Sequence, residues 1–144
     1  MAACCTRPAP RIRGVTELGT RRVALREEGS GARVQLARLL REAGLELAQL
    51  VPHALACDSH FAVAQAVQLG AADAGFAIRA VAIAFGLDFV PLVQERFDLA
   101  VPADLADDPR TLRLLEVLAN RSFRRELGEL GYDAEHSGEL LCEL

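Results

Sequence analysis

Lysine is absent from this sequence of 144 residues, and all sixteen of its cationic side chains are arginine. That absence excludes a Schiff-base lysine and the lysine of a Walker-type phosphate loop. Tryptophan is absent too, and aromatic residues make up only 5% of the chain. Because 51% of the residues are nevertheless apolar, we expect a folded chain with a core of mainly Leu, Val and Ala.

The four cysteines, at positions 4, 5, 57 and 142, have the spacing of neither a zinc site nor a disulfide framework. We therefore expect a reducing, cytoplasmic setting without a metal or other cofactor. No apolar run reaches the ~18 residues of a membrane-spanning helix, and residues 1–13 lack the apolar stretch of a signal peptide. A net charge of −4 predicts no direct contact with nucleic acid or with an anionic membrane.

We expect residues 1–13 to be disordered or extended and residues 14–144 to form one domain. Strand-like runs alternate with helical runs, and glycines follow several of the helical runs. This alternation predicts a mostly parallel sheet with helices on both faces, which is a three-layer α/β/α fold. The predicted strands are 21–26, 50–57, 74–78, 87–93 and 97–101, and the predicted helices are 32–43, 59–69, 79–85, 108–120 and 122–130.

The turn most suggestive of chemistry is residues 27–31, Glu-Glu-Gly-Ser-Gly, between the first strand and the first helix. Its glycines, Gly29 and Gly31, permit unusual backbone angles and let a ligand approach the main chain. The helix start offers unpaired N–H groups and the positive end of the helix dipole. Ser30 could donate its hydroxyl to an oxyanion, and Arg33 and Arg26, at the strand end, could add charge-assisted hydrogen bonds. Two alternatives stay open: Ser30 is only a helix cap, and the two glutamates repel an anion.

A second helix start, at Ser59 and His60, has the same character and could face the first turn across a cleft. The alternative is an ordinary cap with His60 on the surface. A triad of Ser30, His60 and Asp58 is not persuasive, because G-x-S-x-G is absent and Asp58 is too near His60 in sequence. The histidines lack metal-ligand spacing, and Cys57 is expected to be buried and inert. We predict no catalytic residue, no metal and no enzymatic activity.

Five blocks occur in the order found in a known family. They are 26–33, 59–64, 70–78, 87–92 and 95–99. Together they resemble the periplasmic-binding-protein-like (type II solute-binding) domain of helix-turn-helix regulators and molybdopterin-biosynthesis-type proteins, which is related to molybdate- and tungstate-binding proteins. The resemblance covers roughly residues 11–138. It implies a three-layer α/β/α lobe of the type II fold that corresponds mainly to the second lobe, with most of the first lobe missing.

The resemblance also implies a function and a site. The expected function is that of a non-enzymatic sensor for a small anion such as molybdate or tungstate. The implied ligand contacts lie at helix starts, on Gly29, Ser30, Gly31, Arg33, Ser59 and His60.

A lobe that normally packs against another lobe leaves apolar surface exposed, so we expect a homodimer. The alternative function is a degenerate lobe that serves as a dimerisation or regulatory module of a transcriptional regulator and binds no ligand. Ala32, which stands where the family commonly has Thr, favours that alternative.

Overall fold

A computed structural model of the chain describes residues 2–6 and 12–141, and for residues 2–5 it describes only the backbone. Residues 1 and 7–11 of the predicted N-terminal segment lie outside this part. The chain divides into two compact units, one ending at Glu95 and the other beginning at Arg96. The elements of the first unit are β1 (Ala2–Thr6), β2 (Val23–Arg26), α1 (Gly31–Glu42), α2 (Leu47–Leu50), β3 (Leu55–Cys57), α3 (His60–Gln68), β4 (Ala74–Ile78), α4 (Arg79–Phe85) and β5 (Asp88–Val93), with 3₁₀ turns at Val15–Thr20 and Val51–His53.

The first unit is built on a five-stranded sheet with the strand order β3-β2-β4-β1-β5. Strand β2 runs parallel to both β3 and β4, whereas β1 runs antiparallel to both β4 and β5. Strands β2, β3, β4 and β5 therefore share one direction, as the alternation of strands and helices predicts. Residues 2–6 are extended and form the one strand of the described sheet that runs the opposite way.

Apolar side chains that alternate along the strands supply both faces of the sheet. Val23 and Leu25 belong to a core under α1, whereas Ala24 between them belongs to a second core under α3 and α4. In β4, Phe76 faces the first core and Ala77 the second. The predicted three-layer α/β/α arrangement is confirmed.

Helix α3 lies close to the sheet because β4 carries a glycine. A Cβ atom at Gly75 would overlap Val63 Cγ1 of α3 and would lie 3.3 Å from Ala24 Cβ and 3.4 Å from Val67 Cγ2. Val63 and Val67 are fully buried. The position of α3 on the sheet therefore depends on the lack of a side chain at Gly75.

The prediction of an extended run at 50–57 is wrong in its first half. Residues 47–50 form α2, and a 3₁₀ turn at residues 51–53 follows it, so that β3 has only three residues. The helix starts with a capping box in which the backbone N–H of Glu46 donates to Gln49 Oε1 at 3.0 Å. Pro52 lies at the start of the 3₁₀ turn, where its fixed φ suits a helical conformation.

The predicted strand at 97–101 is also wrong. Phe97, Leu99 and Val101 alternate as in a half-buried strand, but residues 97–101 have no regular structure and the first four of them are exposed. Alternation alone does not make a strand, because backbone groups in a strand need a neighbouring strand to pair with. Here the local polar contact is an ion pair from Arg96 to Asp98 at 2.9 Å.

The second unit contains a 3₁₀ turn at Ala103–Leu105 and two helices, α5 (Pro109–Ala119) and α6 (Arg121–Glu129). The carboxylate of Asp108 accepts from the Arg110 N–H at 2.8 Å, and Asn120 Oδ1 accepts from the Ser122 N–H at 2.8 Å. These side-chain caps explain where the two helices begin. No residue of either helix is buried within the described chain.

Candidate functional site

Three parallel strands, β2, β3 and β4, end side by side, and each is followed by a helix. Arg26 at the end of β2 is paired with Cys57 at the end of β3, and Ala24 of β2 is paired with Gly75 of β4. We call this side of the sheet, where α1, α3 and α4 begin, the carboxyl end. In open α/β sheets the loops at this end are the usual place for ligands.

In the first turn of the carboxyl end, Gly29 has the unusual backbone conformation that the sequence predicts. Gly29 adopts φ +82, which other residues resist. Gly31 does not share this requirement, because it is the first residue of α1, and a Cβ atom there would meet no atom within 4 Å. The expectation of unusual backbone angles is correct for Gly29 and wrong for Gly31. At Gly31 the absent side chain leaves open space in front of the helix start.

Ser30 is the N-cap of α1. Its Oγ accepts from the Arg33 N–H at 3.3 Å and donates to the Glu27 carbonyl at 2.9 Å. The hydroxyl thus has partners within the turn, as the cap alternative predicts. The N–H groups of Gly31 and Ala32 precede the first intrahelical acceptor, so the helix itself gives them no partner.

The arginines of the first turn are held by the neighbouring glutamates. Arg26 binds Glu27 through two hydrogen bonds of 2.6 and 2.8 Å, and the Arg26 side chain is only 15% exposed. The hydrogen bonds from Arg26 lower the pKa of Glu27 to about 2. Arg33 donates to the Arg26 carbonyl at 3.0 Å and lies 3.4 Å from the carboxylate of Glu28, which is 90% exposed. The negative charges of Glu27 and Glu28 are therefore balanced by the positive charges of Arg26 and Arg33.

The second turn lies against the first. The Glu27 N–H donates to the Cys57 carbonyl at 3.1 Å, which joins the two turns through the backbone. Ser59 caps α3, and its Oγ accepts from the Ala62 N–H at 3.1 Å. The pKa of His60 is lowered, first by burial and then by the positive charge of Arg26. The sequence-predicted residues of the two helix starts are thus brought together at the carboxyl end.

His60 is half-buried rather than on the surface. Its Nδ1 atom is buried, and within the described residues it has no hydrogen-bond partner. A buried polar atom without a hydrogen-bond partner is costly to the folded state. Cys57 is buried as expected, and burial raises the pKa of its thiol, so it is not an activated nucleophile.

A third helix start at the carboxyl end was missed by the sequence reasoning. Strand β4 ends at Ile78, and Arg79 is the first residue of α4 and is exposed. The signal was present, because both the strand at 74–78 and the helix at 79–85 were predicted. Placing Arg79 beside the other two turns requires the strand order, which the sequence does not contain.

Within residues 2–6 and 12–141, no three His, Cys, Asp or Glu side chains could jointly hold a metal ion. In the same part of the chain, no helix is long and apolar enough to cross a membrane. A surface depression of about 400 Å³ lies between α5 and α6, beside Val117 and Phe123. It contains none of the predicted site residues, so this depression and the predicted site lie in different parts of the chain. We base the site on the carboxyl end, where the charged side chains and helix starts meet.

The fold and the position of the helix starts define a class: a lobe of the type II periplasmic-binding-protein-like fold. The chain belongs to the PBP superfamily domain family, whose model matches residues 4–119. Membership in this family indicates a ligand-binding or sensor role.

Two sequence relatives have uncharacterized functions. The chain is 33% identical over 124 residues to uncharacterized protein YvgK of Bacillus subtilis (strain 168), covering 85% of this chain and 39% of that protein. It is 29% identical over 107 residues to an uncharacterized protein in the ferredoxin 2Fe-2S gene 5′ region of Clostridium pasteurianum, covering 73% of this chain and 95% of that protein. The chain therefore spans well under half of the Bacillus relative.

Two solved structures share the fold. One is an ancestral arginine-binding protein bound to glutamine, with a TM-score of 0.58 and 17% identity, which covers 92% of this chain and 59% of that one. The other is a histidine kinase sensor domain with similarity to periplasmic binding proteins, with a TM-score of 0.52 and 19% identity, which covers 90% of this chain and 54% of that one. At these identities the similarity establishes the fold alone.

Proposed function

We propose that this chain is a non-enzymatic binding lobe for a small oxyanion, such as molybdate or tungstate, in the cytoplasm. The observation that carries the proposal is the meeting of two capped helix starts, α1 and α3, at the ends of adjacent parallel strands. The amides of Gly31 and Ala32 and those of His60 and Phe61 precede the first intrahelical acceptors of their helices. Helix starts of this kind favour negatively charged ligands.

The glutamates set a condition on the ligand. Glu27 is held by Arg26, so its charge is compensated within the turn. Glu28 is almost fully exposed and its contact with Arg33 is 3.4 Å long, so this pair is weak and can be opened by a competing anion. In the proposal, the ligand rests on the helix amides and takes the place of Glu28 beside Arg33.

The open space at Gly31 gives a direct test. A Cβ atom there meets no atom within 4 Å, and leucine suits a helix better than glycine, so Gly31→Leu should keep the fold and block the amides of α1. The matched control is Gly128→Leu, which also adds a side chain to a helical glycine with open space, in α6. Molybdate, tungstate, sulfate and phosphate are the probes, and the readout is the shift of the thermal midpoint.

Wild type and Gly128→Leu should be stabilised, by about 2.7 kcal/mol at an anion concentration of about 100 times its Kd. Gly31→Leu should show no shift, and Arg33→Ala should lose the molybdate-dependent shift when it is compared with its own ligand-free midpoint. Arg38→Ala, further along α1 in an exposed pair with Glu42, controls for loss of a charge. If none of the four anions stabilises the wild type, the oxyanion proposal is rejected.

A second function, a dimerisation or regulatory module without a ligand, is favoured by two observations. Both cations of the first turn already have carboxylate partners. In addition, helix α5 exposes apolar side chains by 37–47%, namely Leu112, Leu114, Leu115 and Val117. A homodimer would cover part of this apolar surface. Light scattering after size-exclusion chromatography tests this: a monodisperse monomer rejects the dimer, and a dimer that ignores all four anions favours this second function.

A further inference from the structure

The positive charge of the carboxyl end is largely used within the chain. Arg26 is bound by Glu27, and Arg33 by Glu28 and the Arg26 carbonyl. Arg79 differs from both, because it is exposed and makes no ion pair among the residues that the structure describes. We infer that Arg79 is a further ligand-binding residue, whose guanidinium pairs with the charge of the anion. This inference rests on the proposed oxyanion-binding function.

The strand register places Arg79 level with the first turn of the carboxyl end. Val23 is paired with Ala74 and Ala24 with Gly75, so the same parallel register brings Ile78 level with Glu27. Arg79 therefore begins α4 at the height where the first turn begins. Neighbouring strands are about 4.8 Å apart, so an arginine side chain is long enough to reach a small ligand in front of β2, the strand that lies between β3 and β4.

Arg79 also does not stabilise the start of its own helix, α4. The N-cap of α4 is Ile78, which makes no side-chain cap bond, and the first turn contains no acidic residue. Elsewhere the chain begins its helices with polar caps, as at Ser30 and Ser59. A cation at a helix start opposes the dipole and is slightly destabilising. Side chains that break such a local rule without compensation are expected mainly at functional sites.

The test compares Arg79→Gln with wild type by calorimetric titration with molybdate, tungstate, sulfate and phosphate. Loss of a charge-assisted hydrogen bond should weaken binding by roughly 10- to 100-fold. The ligand-free thermal midpoint should stay the same or rise, because a cation leaves the start of α4. Arg79→Lys keeps the charge and should restore part of the affinity. Arg38→Gln, an exposed arginine of α1, is the charge-matched control and should bind like wild type.

The opposite signs of the two effects separate binding from a structural role. If Arg79→Gln binds the anions as tightly as wild type, the inference is overturned while the proposed function stands. If Arg79→Gln lowers the ligand-free midpoint as well as the affinity, Arg79 acts on the fold and the inference is again overturned. If wild type itself binds none of the four anions, the proposed function fails, and the inference fails with it.

Discussion

Replacing Gly75 by alanine would place a methyl group between β4 and α3. The added Cβ would overlap Val63 Cγ1 and would also lie 3.3 Å from Ala24 Cβ, which is tighter than an ordinary contact. Both neighbours are fully buried, so neither can move into solvent. Overpacking of this kind costs about 1–3 kcal/mol. We expect Gly75→Ala to lower the free energy of unfolding by an amount within that range.

A second substitution provides the decisive comparison. Val63→Ala alone removes buried methyl groups and should destabilise by about 2 kcal/mol, from the lost burial and the cavity that remains. In the double variant the methyl group added at position 75 occupies part of that cavity, so the two costs should not add. The coupling should favour the double variant by about 1 kcal/mol or more, which is in the range for residues in direct contact.

Urea denaturation of the four proteins measures this cycle, with the slope of the transition checked for constancy. Gly128→Ala is the control, because a Cβ at this helical glycine meets no atom within 4 Å. It should be neutral or stabilising by up to about 1 kcal/mol. The packing argument is refuted if Gly75→Ala is as stable as wild type, or if the costs of the two substitutions simply add.

Two further predictions concern the charges of the carboxyl end. The pKa of His60 is lowered in the folded chain, so on acidification the unfolded chain binds this proton first, near pH 6.5. The stability that depends on neutral His60 is therefore complete above pH 6.5 and falls as the pH drops towards the folded pKa. Urea midpoints measured against pH should fall less steeply for His60→Gln than for wild type. Identical pH profiles of the two proteins would contradict the lowered pKa of His60. Glu28→Gln should strengthen molybdate binding about two- to fivefold, since a weak competing ion pair is removed. The affinity is measured by calorimetry, with Glu42→Gln, which removes a glutamate elsewhere on the chain, as the control. An equal gain in affinity in both variants would disprove the prediction.

Local patterns in the sequence predict the elements around the site well. The bounds of α1 and α3 follow from the caps Ser30 and Ser59, since a hydroxyl that binds backbone N–H groups acts over three residues. Gly86 ends α4 with φ +63, and here too the cause lies within one turn. Such signals depend on neighbours in sequence, so the sequence contains them in full.

Three features depend on residues far apart in sequence and were not predicted. Strand β1 is a short run of small residues without alternation, and it becomes a strand only by pairing with β4 and β5. Residues 97–101 alternate but have no regular structure. The position of Arg79 beside the first turn follows from the order of β2 and β4 in the sheet.

The sequence by itself determined the fold class, the two capped helix starts and the absence of lysine chemistry, because composition and capping are properties of residues or of short segments. Only the tertiary structure decided that Arg26 and Arg33 are held by Glu27 and Glu28, and that the Cys57 carbonyl joins the two turns. The contact with the Cys57 carbonyl depends on strand register, whereas the two arginine–glutamate contacts join residues close in sequence and depend on side-chain conformation in the folded turn. The charge that remains for a ligand is therefore a property of the folded carboxyl end.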